Sequence, residues 1–229
     1  MTISILAYDA ETGTYGAAAT TGSLCVGGWV LRGDAESGLS ASQGSLPSTL
    51  WGTQVLERMR AGQSAAEAVF EVADADAGRA HRQLAALDPD GGTGHFTGAS
   101  SIPAAGARQA PSVVVTGNLL SGDDVIEACL QGYLEARGNM AERLIAALEA
   151  AAMAGGDSRG LLSAALLVVS RSDPPLSLRI DYSETPLQDL SDLHRRATSG
   201  AYSEWARLVP TLDEPERAEP FSETVTPAG

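Results

Sequence analysis

The chain contains no lysine: all 15 of its cationic side chains are arginines. That excludes a Schiff-base lysine, a phosphate-loop lysine and a lysine general base. Positive charge is scarce as well, and the net charge of −14 argues against a nucleic-acid surface, which needs clustered Lys and Arg, and against docking on anionic lipid. Aromatic residues make up only 5%, so alanine and glycine must do much of the filling, in tightly packed layers. The two cysteines, Cys25 and Cys129, form no C-x-x-C, which suits reduced thiols and a cytoplasmic setting. No apolar run approaches a membrane span; the longest, from Ala164 to Val169, has strand length. The opening segment has no basic region and meets Asp9 early, unlike a signal peptide. His81, His95 and His194 have no ligand spacing, so no metal is expected. Asp88-Pro89-Asp90-Gly91 lacks the rest of a calcium loop, Gly92-Thr93-Gly94-His95 has no nucleotide fingerprint after it, and there is no G-x-S-x-G elbow. No cofactor is called for.

What is present is an alternation of strands and helix pairs. Ile3, Ile5 and Ala7 alternate with Ser4 and Leu6, a strand at the start of the chain. A turn at Asp9–Gly13 leads to a small-residue strand from Tyr15 to Thr21. Cys25 to Leu31 and Gly38 to Ser42 read as a second hairpin around Gly33-Asp34. Leu46-Pro47 opens a helix carrying Leu50, Trp51, Leu56 and Met59, and Ser64…Glu67 is a capping box for the next. Gln83 to Leu87 and Gly94 to Thr97 form a hairpin, followed by a short buried strand at Val113–Val115. Two more helices follow, from about Asp123 to Ala136 and from an Asn139…Glu142 capping box to Gly155-Gly156. Leu161 to Val169 is a buried strand, Leu176 to Tyr182 alternates, and Thr185-Pro186 begins the last main helix. Hairpins outnumber crossovers, so antiparallel sheets with helices layered outside are expected, in one α+β domain over 1–209. The acidic stretch 210–229, punctuated by Pro210, Pro215, Pro220 and Pro227, has the composition of a disordered tail. If ordered, it would lie on something, with a neighbouring subunit favoured over a lattice contact. A homo-oligomer, preferably a dimer, is the corresponding expectation.

Met1-Thr2-Ile3-Ser4-Ile5 with Tyr8-Asp9, Phe96-Thr97-Gly98 continuing to Ile102-Pro103 and Gly106, Gly117-Asn118, and Gly155-Gly156-Asp157-Ser158-Arg159-Gly160 with Ser163-Ala164-Ala165-Leu166 recur in a set order and spacing. On those residues, from Met1 to Tyr182, the chain resembles a bacterial family of unknown function, domain of unknown function ten-twenty-eight. The sequence departs from that family's pattern at Ser101, Ala104, Thr116 and Leu161-Leu162. The resemblance implies an N-terminal-nucleophile (Ntn) hydrolase-like fold: a four-layer αββα sandwich of two mainly antiparallel sheets. It also implies an amide-hydrolase ancestry, without a substrate. Proteasome-like relatives use a lysine beside the nucleophile; here Arg32 lies at a comparable distance along the chain, able to lower an amine pKa by its charge but not to act as a base.

Thr2 is the candidate nucleophile. Initiator methionine is commonly removed before a small side chain, and a free N-terminal threonine joins a hydroxyl to an α-amine of pKa about 7.7–8.0, suited to a general base. A Met-Thr start alone carries little; its weight comes from standing at the head of a strand in this order of elements. Backbone amides near Gln43 and Gly44, at a strand end, could line an oxyanion pocket or be a plain strand end. Asn118 could donate to an oxyanion or hold a turn. Arg159 could grip a substrate carboxylate or pair with Asp157. Two functions follow: a hydrolase of a small amide or peptide-like bond, with Thr2, Asn118 and Gly44 in catalysis and Arg159, Gln43 and Arg32 at the substrate, or a non-catalytic binding or assembly module that keeps the fold. In the first, Thr2 faces an open cleft near Arg159 or Asn118; in the second, its hydroxyl is packed in the core.

Overall fold

A strand buried on both faces has to sit between two layers, and the first strand is of that kind. A computed structural model of the chain describes residues 2–157 and 159–218. In it β1 (Thr2–Asp9) turns Ile3, Ile5 and Ala7 to one hydrophobic cluster and Leu6 to another. The first cluster is the outer layer, where α4 (Asp124–Glu135), α5 (Met140–Met153) and α6 (Pro186–Ala197) pack. The second is the space between two sheets.

β1 lies inside a six-stranded antiparallel sheet. From one edge to the other it runs β10 (Leu176–Ile180), β9 (Ser163–Val169), β2 (Thr14–Thr21), β1, β8 (Val113–Asn118), β7 (Gly106–Ala110). Facing it is a four-stranded antiparallel sheet of β3 (Leu31–Asp34), β4 (Gly38–Gly44), β5 (Arg82–Leu87) and β6 (Thr93–Thr97). Its outer face carries α2 (Trp51–Arg60) and α3 (Ala65–Asp74), with Trp51, Val55, Met59, Val69 and Val72 in a third cluster against Leu84 and Ala86. Three apolar layers between four structural ones make the αββα sandwich. Alanine dominates the middle layer: Ala17, Ala19, Ala41 and Ala85 lie there, which lets the sheets approach closely.

Local signals account for most of these elements. Both capping boxes form, Ser64 with Glu67 and Asn139 with Glu142. Ser48 Oγ accepts from the amides of Leu50 and Trp51 at the head of α2, 3.2 and 3.3 Å away. The segment from Cys25 to Leu31 departs from expectation. It is not a strand: Cys25 takes φ 60°, and Val26–Trp29 forms a single turn of helix, α1. Its glycines are the cause. A Cβ on Gly27 would lie 2.7 Å from the Ala165 Cβ, so the bare backbone packs flat on β9 and turns Val26, Trp29 and Val30 elsewhere. The hairpin partner of β4 is therefore the shorter β3. A helix α7 (Gly200–Ala206) follows α6, with Trp205 exposed beside Tyr202.

Only the first part of the tail lies within the described residues. Within 210–218 the chain is tied to itself: Thr211 is buried, the Asp213 amide donates to the Arg171 carbonyl at 3.1 Å, and Arg217 Nη1 donates to the Arg207 carbonyl at 2.9 Å. Backbone bonds of this kind fix a segment whose composition alone would leave it loose. Residues 219–229, and Met1, whose removal the catalytic reading requires, lie outside the described residues.

His194 on α6 is buried against α5, and its Nε2 has no hydrogen-bond partner. Burial holds its imidazole below the ordinary value of 6.5, against an opposing pull from Glu142. Glu149 and Arg195 complete the charged groups of the groove it faces. The unfolded chain therefore binds the proton more readily than the folded one. Stability is full above about 6.5 and falls as pH drops through that value. His95, also lowered by burial, adds a slope of the same sign. His194→Gln is expected to flatten the fall in urea midpoint between pH 7.5 and pH 5.5; an unchanged slope would assign the whole effect elsewhere.

Candidate functional site

The layer between the sheets changes character along its length. At one end it is apolar, with Leu6, Leu39, Leu87 and Val114 among its residues. The same strand faces, two residues at a time, then carry Ser4 and Thr2 on β1, Thr116 and Asn118 on β8, Gln43 on β4 and Gln83 on β5. Ser4, Thr116, Asn118, Gln43 and Gln83 are all buried. Buried polar groups must be hydrogen-bonded to be tolerated, and here they bond to one another. Ser4 Oγ and Thr116 Oγ1 are 3.0 Å apart. Gln83 is the hub: its Oε1 accepts from Gln43 Nε2 at 2.7 Å and from Asn118 Nδ2 at 3.0 Å. Its Nε2 donates to Thr97 Oγ1 at 2.9 Å and to the carbonyls of Gly106 at 3.2 Å and Gly117 at 2.9 Å.

Thr2 stands where this polar column reaches the surface. It is half-buried, its hydroxyl donates to Thr21 Oγ1 at 3.3 Å, and its carbonyl accepts from Gln43 Nε2 at 3.4 Å. It lines a cleft of about 540 Å³ together with Thr21, Gln43, Gly44, Ser45 and Arg82. A volume of that order suits a small molecule. Gly44 bends the end of β4 over the cleft at φ +128°, where a Cβ would lie 2.6 Å from the His81 carbonyl oxygen. Only glycine fits that turn. The opposite wall begins at Ser23 and Leu24, in the loop after β2. That loop is held by Asp157, whose Oδ2 accepts from the Gly22 amide at 2.6 Å.

Of the residues singled out in the sequence, Thr2, Gln43 and Gly44 come together on the cleft. Asn118 sits opposite Thr2 in the β1–β8 register but behind it, with its amide committed to Gln83. Arg159 makes the ion pair with Asp157, donating from Nε and Nη2, both at 3.1 Å; its Nη2 is also 3.5 Å from Ser23 Oγ, at the cleft margin. Arg32 is not brought to Thr2. It pairs with Ser40 on the face turned to α2, and its guanidinium donates to the Trp29 and Leu31 carbonyls at 3.3 and 3.4 Å. Strand period explains the miss: Ser40 and Gln43 are an odd number of residues apart, so they face opposite sides of the sheet. Sequence reasoning overlooked Thr21 and Gln83, and gave Asp157 only as the pairing partner of Arg159. Gln83 had a readable signal, an amide alternating with Ala85 and Leu87 on an otherwise apolar inward face. Arg82, the one charged side chain among the described residues that line the cleft, is ion-paired with Asp76 at 2.7 Å. Among the described residues no three His, Cys, Asp or Glu side chains gather as a cation site, and no helix is long and apolar enough to cross a membrane.

Residues 2–190 match the model of a family of unknown function, DUF1028, and the chain belongs to that family. It is similar to the crystal structure of protein SPO2555 from Silicibacter pomeroyi, of the same family, at 47% identity and a TM-score of 0.91, over 94% of this chain and 98% of that one. A more remote likeness is to eukaryotic HslV from Trypanosoma brucei, at 13% identity and a TM-score of 0.44, over 74% of this chain and 99% of that one. No curated protein matches the chain.

Proposed function

We propose that this member of the DUF1028 family is an N-terminal-threonine hydrolase of a small amide or peptide-like bond, of the Ntn type, with Thr2 as nucleophile once Met1 is removed. One observation carries the reading: the hydroxyl of the first residue of β1 lies on the cleft, at the wet end of a polar column inside an αββα sandwich. In the reaction, the free α-amine of Thr2 takes the proton from Oγ1 as Oγ1 bonds to the substrate carbonyl carbon. The tetrahedral oxyanion forms beside the Gly44 backbone. The ammonium then returns its proton to the departing amine as the C–N bond breaks, leaving an ester on Thr2. Water, deprotonated by the same amine, cleaves that ester and restores the hydroxyl. Gln43 holds the Thr2 carbonyl at 3.4 Å, and Asn118 is a positioning residue that acts through Gln83.

Intact mass of the protein from its native host tests this directly. The expected mass is short by one methionine. Retention of Met1 throughout the population would overturn the reading in favour of the alternative, a binding or assembly module on the same fold.

A further inference from the structure

The substrate's chemistry is written on the cleft wall. Leu24, Trp29 and Leu46 are exposed by 53%, 52% and 63%, and all three line the cleft that holds Thr2. Val26, Val30 and Pro47 fill in between them. Large apolar groups left in water and gathered on one concavity mark a ligand site. The arrangement is built by the backbone. Gly27 and Gly28 press on Ala165 and Arg179, so α1 presents its remaining side chains, Val26 and Trp29, to the cleft. The polar groups of the floor are Thr2, Thr21 and Gln43, with Ser23, Ser45 and Arg82 elsewhere on the lining. On the floor Gln43, 1% exposed, keeps an Oε1 with no hydrogen-bond partner, an acceptor matched to an amide N–H. Among the described residues no carboxylate lines the cleft; the guanidinium that does, Arg82, is already paired with Asp76, and that of Arg159 at the margin with Asp157. A cationic substrate group would find no counter-charge, an anionic one would have to compete with Asp76 or Asp157 for a guanidinium, and the α-amine of Thr2 is uncharged in the form that acts as base.

Resting on the Thr2 reading for where the scissile bond lies, we propose that the cleft selects amides whose acyl group is apolar and uncharged, branched aliphatic or aromatic, with Trp29 and Leu46 setting that preference. The test uses three amides of similar size, 4-methylpentanamide, glutaramate and 4-aminobutanamide, with calorimetric titration of the full chain. The apolar amide is expected to bind at least about tenfold tighter than either charged one, the low end of what a single methylene is worth in an apolar pocket. Trp29→Ala and Leu46→Ser are each expected to remove the difference; both side chains are exposed, so folding is not at stake. Equal affinities, a charged amide binding tightest, no binding of any of the three, or a preference untouched by both variants would each overturn the proposal. Coumarin amides of the same three acids separate it from the Thr2 reading. Selective binding without hydrolysis defeats the nucleophile alone, and hydrolysis that favours a charged acyl group defeats the apolar cleft alone.

Discussion

Thr2→Ala is expected to lower kcat/KM for a cleaved amide by on the order of 10³-fold or more, with the melting temperature essentially unchanged. The comparison isolates the hydroxyl, because initiator methionine is removed before alanine as readily as before threonine. The N-terminal amine therefore remains in both proteins. Thr2→Ser keeps the hydroxyl and is expected to retain measurable turnover, below wild type because the methyl group that fixes the threonine rotamer is gone. Stability should hardly move: Thr2 is half-buried, and its side chain makes one hydrogen bond, 3.3 Å long, to Thr21. The pH profile is a second readout. An amine acting as base must be deprotonated, so kcat/KM should rise as pH passes through about 7.7–8.0, the ordinary range of an α-amino group. Turnover by Thr2→Ala equal to that of the wild type would remove Thr2 from the chemistry.

The elements that could be read in the sequence are those whose cause is local. Ser64 and Asn139 announce their helices by a hydroxyl or amide three residues ahead of a glutamate, and both boxes close as expected. The alternation of Ile3, Ile5 and Ala7 is a period-two signal that survives burial on both faces because the opposite face carries Ser4 of the polar column. The elements that were hidden depend on distant partners. Val26–Trp29 has two glycines in four residues, a poor helix by propensity. It is a helix because those glycines dock on Ala165 and Arg179, far away in sequence. β7 is an edge strand with no buried residue, so no apolar alternation betrays it. The site divides in the same way. Thr2, Gln43 and Gly44 are found from their positions at strand ends. Arg32 misleads because distance along a sequence says nothing about which face of a strand a side chain takes. Arg159 had two readings of equal weight, and the buried carboxylate of Asp157 two residues before it is the partner that the structure supplies. The polar column itself is a tertiary object: Thr2, Gln43, Gln83 and Asn118 come from four strands, and only the register of the two sheets aligns them.

That column makes Gln83 the position with the largest expected effect on stability. The side chain is fully buried and serves five partners: Gln43, Asn118, Thr97 and the carbonyls of Gly106 and Gly117. Gln83→Ala removes every one of those bonds and leaves two side-chain amides and two backbone carbonyls without them. An orphaned buried polar group costs about 1–3 kcal/mol. A water admitted to the space vacated would recover part of the loss. The expected net destabilisation is about 3–4 kcal/mol, or a fall in Tm of roughly 10 °C for a domain of this size. Gln109→Ala is the control. Gln109 is exposed on β7 and makes a single bond, 2.7 Å to Thr93, so its loss should fall within about 0.5 kcal/mol. Thermal unfolding of both variants decides the matter, and near-equal Tm values would mean that the column is not held through Gln83. Turnover adds a finer readout. Gln43 Nε2 divides its bonds between Gln83 and the Thr2 carbonyl, so releasing it from one loosens its hold on the other. Gln83→Ala measured well below its lowered Tm should therefore also lose kcat, although Gln83 itself does not line the cleft.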